Sequence, residues 1–207
     1  TQYRMNEKIM AFSNAQFYDG QLKASELVSK WKLAGGGHSP VVFIDTAGCG
    51  FEEEKNPETL SRFNKGEYFI LREHLLQFIT AYPEDQWPHT SLAIISPYRA
   101  QSEYLQEEFA EDQTIAPYLP YIDINTIDAF QGQERDLIYI SLVRSNDKNE
   151  IGFLSDYRRM NVAMTRAKKQ LVVIGDSATI GNDDFYQAFL EYAETEGAYQ
   201  SAWEYMG

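Results

Sequence analysis

Short apolar runs recur along the chain, separated by stretches in which apolar residues return every three or four positions. Residues 41–44, 92–95, 122–124, 137–143 and 171–174 read as strands, and the runs that are apolar on every position read as strands buried on both faces. Between them the period lengthens to that of a helix. Met5, Ile9, Met10 and Phe12 mark a first helix, and Asp19-Gly20 a turn after it. The pattern predicts a long helix over 65–82 with Phe69, Leu75, Leu76 and Ile79 inward. It predicts another over 98–110 with Leu105 and Phe109 inward, and a last one over 183–193 with Phe185, Phe189 and Tyr192 inward. Residues 25–40 end in Gly35-Gly36-Gly37 and read as a flexible connector, whereas 52–57 read as charged and exposed.

The stretch 155–175 concentrates the chemistry. Met160, Ala163, Met164 and Ala167 fall at i, i+3, i+4 and i+7, one apolar helical face. Asp156 suits the first turn of that helix, and Lys168 and Lys169 its last. Arg159 and Arg166, seven residues apart, then project from one side of it, able to present fixed positive charge to a phosphate or simply to form a solvated basic face.

Buried strands alternating with helices predict an α/β domain with a mainly parallel sheet. In such sheets ligands gather at the loops after the strand carboxyl ends. Ser96-Pro97-Tyr98, Arg144-Ser145-Asn146 and Asp176-Ser177 sit on those loops. A chain of 207 residues suits one domain.

Composition narrows the classes. No apolar run approaches the ~18 residues of a membrane span. The opening TQYRMNEK lacks the apolar core of a signal peptide and an initiator Met, so the chain reads as an excised fragment. A single cysteine, Cys49, excludes an intrachain disulfide and a thiolate metal cluster, and fits a reducing, intracellular, cytoplasmic setting. His38, His74 and His89 are isolated, so no metal site is expected. The net charge of −13 opposes nonspecific attraction to nucleic acid, but it is uneven. Residues 170–207 hold seven acids and no Lys or Arg; residues 144–169 hold seven Lys or Arg against three acids, a local +4. A P-loop needs Gly-x4-Gly-Lys-Ser/Thr, and none is present, so the chain alone should not hydrolyse a nucleotide.

Four clusters in order resemble a known family. Gln2-Tyr3-Arg4-Met5, Ser96-Pro97-Tyr98-Arg99-Ala100-Gln101, 126–134 (TIDAFQGQE) and 158–167 (RRMNVAMTRA) are similar to motifs IIIa, IV, V and VI of superfamily 1B helicases. The similarity is to the nonsense-mediated-decay and immunoglobulin-mu-binding-protein group, with 43–50 (FIDTAGCG) especially like the latter. The resemblance implies a three-layer RecA-like domain over 1–207, the second of a helicase motor. A first RecA-like domain, carrying the P-loop and the Mg²⁺ acids, is expected upstream.

The resemblance also implies roles. Arg166 and Arg4 match arginines that reach the γ-phosphate of ATP·Mg²⁺ across the interdomain cleft. Tyr3 matches the aromatic that stacks on the base, or is a buried anchor for the first helix. Glu134 matches the carboxylate that accepts from the ribose, or caps a turn; Gln131 and Gly132 shape its loop. Ser96, Pro97, Tyr98 and Thr126 match positions along a single-stranded DNA or RNA face, with Arg144 and Ser145 as possible additions. Asn64 and Glu67 recur in the family and are readable only as helix capping. The expected function is the C-terminal motor domain of an ATP-dependent helicase, with a catalytically inert binding module as the alternative.

Overall fold

The computed structural model describes residues 1–207. Its centre is a six-stranded sheet, every pairing parallel. The strands are β1 (Val41–Asp45), β4 (Leu92–Ser96), β5 (Ile122–Thr126), β6 (Arg135–Ser141), β7 (Ala167–Gly175) and β8 (Ala198–Ser201), ordered β5-β4-β6-β7-β1-β8. A two-stranded hairpin, β2 (Glu54–Lys55) with β3 (Arg62–Phe63), stands outside the sheet. The helices are α1 (Glu7–Phe17), α2 (Lys65–Ala81), α3 (Arg99–Glu111), α4 (Tyr157–Met164), α5 (Ser177–Ile180) and α6 (Asp184–Glu196).

Alternate residues of the inner strands feed two separate cores, as the two-residue period of a strand requires. Phe43, Ile95, Ile138, Ile140 and Val173 pack with Ile9, Phe12, Met160, Met164 and Phe189 on one face. Ile44, Ile94, Tyr139, Val172 and Ile174 pack with Leu71, Leu75, Phe78, Leu105 and Phe109 on the other. The result is the α/β domain with a parallel sheet that the alternating pattern pointed to, in the three-layer RecA-like form that the family resemblance implied. No helix is long and apolar enough to cross a membrane.

Several expectations are corrected. Phe69, read as core, is 41% exposed, because the buried stripe of α2 runs through Ile70, Leu71, Leu75, Phe78 and Ile79. Ala167 is not the last residue of a helical face: α4 ends at Met164, and Ala167 opens β7, four residues earlier than the apolar run suggested. The Thr165 hydroxyl donates to the Asn161 carbonyl (2.8 Å), competing with helical continuation. Lys168 and Lys169 therefore lie on a strand, within 3.6 and 3.4 Å of Asp136, rather than in a helix's last turn. Glu53, in a stretch read as exposed, has its carboxylate sunk against Arg144 at 2.7 Å. Segment 25–40 has no helix or strand, yet Val28 and Leu33 are buried and the Trp31 carbonyl accepts from Asn6 (2.7 Å).

Candidate nucleotide and strand sites

Two groups of candidate residues lie at opposite edges of the sheet. The first sits at the amino ends of β6 and β7, not at the carboxyl edge where ligands of parallel sheets usually gather. Gln2 knots the segment that carries Tyr3 and Arg4: its Oε1 accepts from the backbone N–H of Arg4 (2.7 Å) and Met5 (2.9 Å), and its Nε2 donates to the Met5 carbonyl (2.9 Å). Asn6 caps α1 by accepting from Lys8 N–H, and its own N–H donates to the Lys168 carbonyl (2.8 Å), stitching the segment to β7. On the other side, the Arg135 N–H donates to the Arg166 carbonyl (3.0 Å) just ahead of both strands.

This stitching brings Arg4, Glu134 and Arg166 together. Arg4 Nε and Glu134 Oε2 are 2.9 Å apart. Arg166 Nε is buried and has no hydrogen-bond partner. Burial, then the neighbouring Arg4 charge, pull the Arg166 pKa down, and Glu134 opposes them. Two neighbouring guanidiniums with a single carboxylate near them form a site short of negative charge. Tyr3 beside them is 68% exposed, so the buried-anchor alternative does not describe it. Gly132 has φ +81°, a conformation that sets the exposed turn Gln131-Gly132-Gln133 ahead of Glu134. Arg159 is not part of this group: it belongs to α4, and its Nε and Nη2 donate to the two Asp128 oxygens at 2.9 and 2.7 Å.

The second group surrounds an open cleft of about 800 Å³ at the carboxyl ends of β4, β5 and β6. Pro97, Tyr98, Thr126 and Arg144 line it, as do Leu60, Arg62, Arg99, Asp128, Phe153 and Arg159. The remaining two strand candidates serve the fold. Ser96 is buried with its Oγ accepting from Tyr98 N–H (3.2 Å), and the Ser145 hydroxyl donates to Asp176 (2.7 Å). Arg144 is also largely buried; it pairs with Glu53 and donates to the Tyr98 hydroxyl (3.1 Å), so its charge is mostly satisfied within the wall. Thr126 ends β5 and accepts from Ala129 N–H at 3.3 Å.

Behind the cleft lies a buried polar cluster. Asn64 caps α2 by accepting from Glu67 N–H (3.0 Å) and donates to the carbonyls of Val143 (3.0 Å) and Phe51 (2.8 Å). Glu67 Oε1 accepts from the Ser141 hydroxyl (2.8 Å) and Val143 N–H (2.9 Å); its other oxygen has no partner. Gln101 donates to the Ser141 oxygen (3.0 Å) and accepts from Asn64 N–H (2.9 Å). The cluster holds Val143 at φ +73°, a left-handed turn that a β-branched residue rarely adopts, and so directs Arg144 toward the cleft wall.

Most of the chain matches one family. Residues 1–178 match the AAA domain family. This chain belongs to the AAA-domain family of superfamily 1B helicases. It is 38% identical over 190 residues to the DNA polymerase alpha-associated DNA helicase A of Saccharomyces cerevisiae, covering 84% of this chain and 27% of that protein. It is 32% identical over 213 residues to the DNA-binding protein SMUBP-2 of Mus musculus, covering 99% of this chain and 20% of the relative. The chain thus spans about a fifth to a quarter of the length of these relatives. An uncharacterised ATP-dependent helicase of Methanocaldococcus jannaschii is 36% identical over 208 residues, covering 94% of this chain and 28% of that protein. In fold, the chain matches the C-terminal domain of a possible DNA helicase from Lactobacillus plantarum WCFS1, with a TM-score of 0.52 and 12% identity over 98% of this chain and 99% of that one.

Within this helicase domain, the cleft residues that sequence reasoning missed are Leu60, Arg62, Phe153 and, as a lining group, Arg159. Only Phe153 left a signal, an apolar residue directly after Gly152 in a turn-rich stretch. Leu60 stands at the tip of the β2–β3 hairpin, whose two-residue strands are too short to show a period.

Proposed function

We propose that this domain closes on an upstream RecA-like domain around ATP, supplying Arg166 and Arg4 to the triphosphate. The observation that carries the reading is the Arg4–Arg166 pair with a buried, partnerless Arg166 Nε. Burying an unpaired donor beside a like charge is costly unless an anion arrives to take both. A triphosphate fits that demand, and exposed Tyr3 offers a ring for a base on the same edge. ATP with Mg²⁺ supplies the phosphoryl chemistry, with the metal held mainly by the upstream domain. Arg166 offsets charge on the phosphate end, Arg4 does so from the flanking segment, and Glu134 holds Arg4 in place and offers an acceptor to a ribose. Gln131 and Gly132 set the turn that carries Glu134. At the opposite edge, the cleft lined by Pro97, Tyr98 and Thr126 takes a single strand of DNA or RNA, held by its phosphates. A single rigid parallel sheet joins the two edges, so a domain that rocks on nucleotide shifts its strand cleft as one body.

The test compares the full-length protein carrying this chain with Arg166→Ala, Arg166→Lys and a Lys169→Ala control, reading strand-stimulated kcat, KM and thermal unfolding. Arg166→Ala should lower kcat by ~10³-fold, the magnitude of an arginine that stabilises a transferring phosphoryl group. KM should move less, and the melting temperature should hold, because Arg166 packs no apolar side chain into either core. Arg166→Lys should rescue poorly, since an ammonium lacks the planar fork. Lys169 faces Asp136 and should matter little. Near-normal kcat in Arg166→Ala would refute the assignment.

A further inference from the structure

We infer that Phe153, which lines the cleft together with Leu60, is a stacking platform on which a base of the bound single strand rests. The inference rests on the reading of the cleft as the strand path and adds a base contact to it.

Large apolar side chains exposed on this chain are few, and two of them face one cleft: Phe153, 58% exposed, and Leu60, 61% exposed. Both are held in place. The Phe153 ring stacks on the buried Tyr98 ring, centroids 5.1 Å apart and planes 22° from parallel. Its N–H donates to the Tyr98 hydroxyl (3.1 Å), which also receives a bond from Arg144. Gly152 before it has φ +51°, and a Cβ there would run into the Arg144 guanidinium and the Tyr98 hydroxyl. The ring is thus fixed by a buried aromatic, a buried arginine and an obligatory glycine, not by chance packing. Leu60 sits at φ +62°, strained for a leucine, at the tip of a hairpin. Asn56 fixes that tip by accepting from Glu58 N–H (2.9 Å) and Thr59 N–H (3.1 Å), and Ser61 Oγ accepts from Ala100 N–H (3.1 Å), pinning the hairpin to α3.

Charge selects the occupant. Arg62, Arg99, Arg144 and Arg159 line the same cleft against Glu103 and Asp128; each arginine is paired with a carboxylate of the chain, yet four positive against two negative groups leave the lining at +2 in a chain of net charge −13. An exposed ring set among guanidiniums suits a ligand with both flat apolar faces and phosphates. A single-stranded nucleic acid has both, and stacking on an aromatic is tolerant of sequence because every base has a π-face. A wholly apolar peptide would gain nothing from that positive excess. Tyr98, the aromatic that sequence reasoning placed on the strand, is 3% exposed; its role here is to back Phe153.

The experiment measures fluorescence anisotropy of the full-length protein with labelled oligothymidylate, oligouridylate and an abasic oligonucleotide of the same length. Phe153→Ala should weaken binding of the base-bearing strands by roughly 5- to 140-fold, the range of one lost stack. It should leave abasic binding unchanged, because phosphates need no ring. Phe153→Leu keeps the cover over Tyr98 and should still lose base-dependent affinity; Phe153→Trp should keep it. Trp203→Ala, an exposed aromatic outside the cleft, should change nothing. Arg159→Ala should weaken all three strands. Equal losses on base-bearing and abasic strands in Phe153→Leu would overturn the stack. So would normal binding by Phe153→Leu while Arg159→Ala binds weakly, with the cleft still the strand path. Normal binding by both variants would overturn the cleft reading itself.

Discussion

Replacing Glu67 by Gln should change how stability depends on pH more than stability itself. Glu67 is fully buried, and burial is the main cause that pushes its pKa from the ordinary 4.5 up to about 8, ahead of the hydrogen bonds from Val143 and Ser141 that pull it down. Asp176 adds to the rise. The folded chain therefore keeps a proton that the unfolded chain has already released. Stability from this group is full below about pH 4.5 and is lost as pH rises through about 8. Each pKa unit corresponds to about 1.4 kcal/mol, so the full span is on the order of 5 kcal/mol. His74 acts in the opposite sense. Burial, with a smaller push from His38, lowers its pKa to about 4, so its contribution is full above 6.5 and is lost on acidification. Between about pH 4.5 and 6.5 the two slopes offset each other; above that range, of the two, only Glu67 acts.

The window from about pH 6.5 to 8 is therefore the informative one. Across it the wild-type chain should lose about 1–2 kcal/mol through Glu67, while Glu67→Gln should not. Gln keeps an acceptor for the Ser141 hydroxyl and Val143 N–H, so a constant offset between the two proteins is expected to be small beside the change in slope. Urea unfolding at half-unit pH steps gives the difference directly, with His74 cancelling between the proteins. Parallel profiles for wild type and Glu67→Gln across this window would refute the buried protonated carboxyl. A growing penalty for Gln as pH rises would refute it more strongly, since it would mean that the carboxylate is the stabilising form.

Two further outcomes are expected of the chain by itself. The purified 207-residue chain should show negligible magnesium-dependent ATP turnover, because it has no Gly-x4-Gly-Lys-Ser/Thr loop; robust turnover free of contaminants would defeat the two-domain account. Ile140→Ala or Ile94→Ala, each removing a fully buried strand residue from one of the two cores, should cost ~2–4 kcal/mol in urea unfolding, and a loss below ~1 kcal/mol would contradict the burial.

Much of the scaffold was legible because burial on both faces leaves a plain mark: 41–44, 92–95 and 171–174 are apolar at every position, and each lies within an inner strand. β8 left no such mark, since Ala198-Tyr199-Gln200-Ser201 forms an edge strand that is half exposed. Phe69 was misplaced because α2 packs on the sheet through one stripe and leaves Phe69 outside it; hydrophobicity alone cannot tell which side of the stripe a ring falls on. The buried polar groups were the least legible. Asn64 and Glu67 share the start of α2, but Gln101 comes from α3, and nothing in the sequence spacing foretells that they meet around Val143. Their meeting depends on a left-handed turn at a valine, which local propensity argues against.

The same lesson applies to Arg166, with more consequence. A continuous helix through Ala167 would set Arg159 and Arg166 on one side and aim both at one phosphate. The chain instead stops the helix at Met164 and enters β7 at Ala167, leaving Arg166 in the link. There its backbone is fixed at both ends, the N–H donating to the Ala163 carbonyl (3.3 Å) and the carbonyl accepting from Arg135 (3.0 Å). Fixing the backbone this way limits what Arg166 must order when an anion arrives, which is what preorganised charge requires. Arg159 lies instead among the residues of the cleft at the carboxyl edge, with its fork closed on Asp128. One change of secondary structure at residues 164–167 thus divides two arginines that look equivalent in sequence between the two edges of the sheet. On the proposed reading, Arg166 serves the nucleotide and Arg159 the strand; the two are seven residues apart, with the end of α4 and the short link after it running between them.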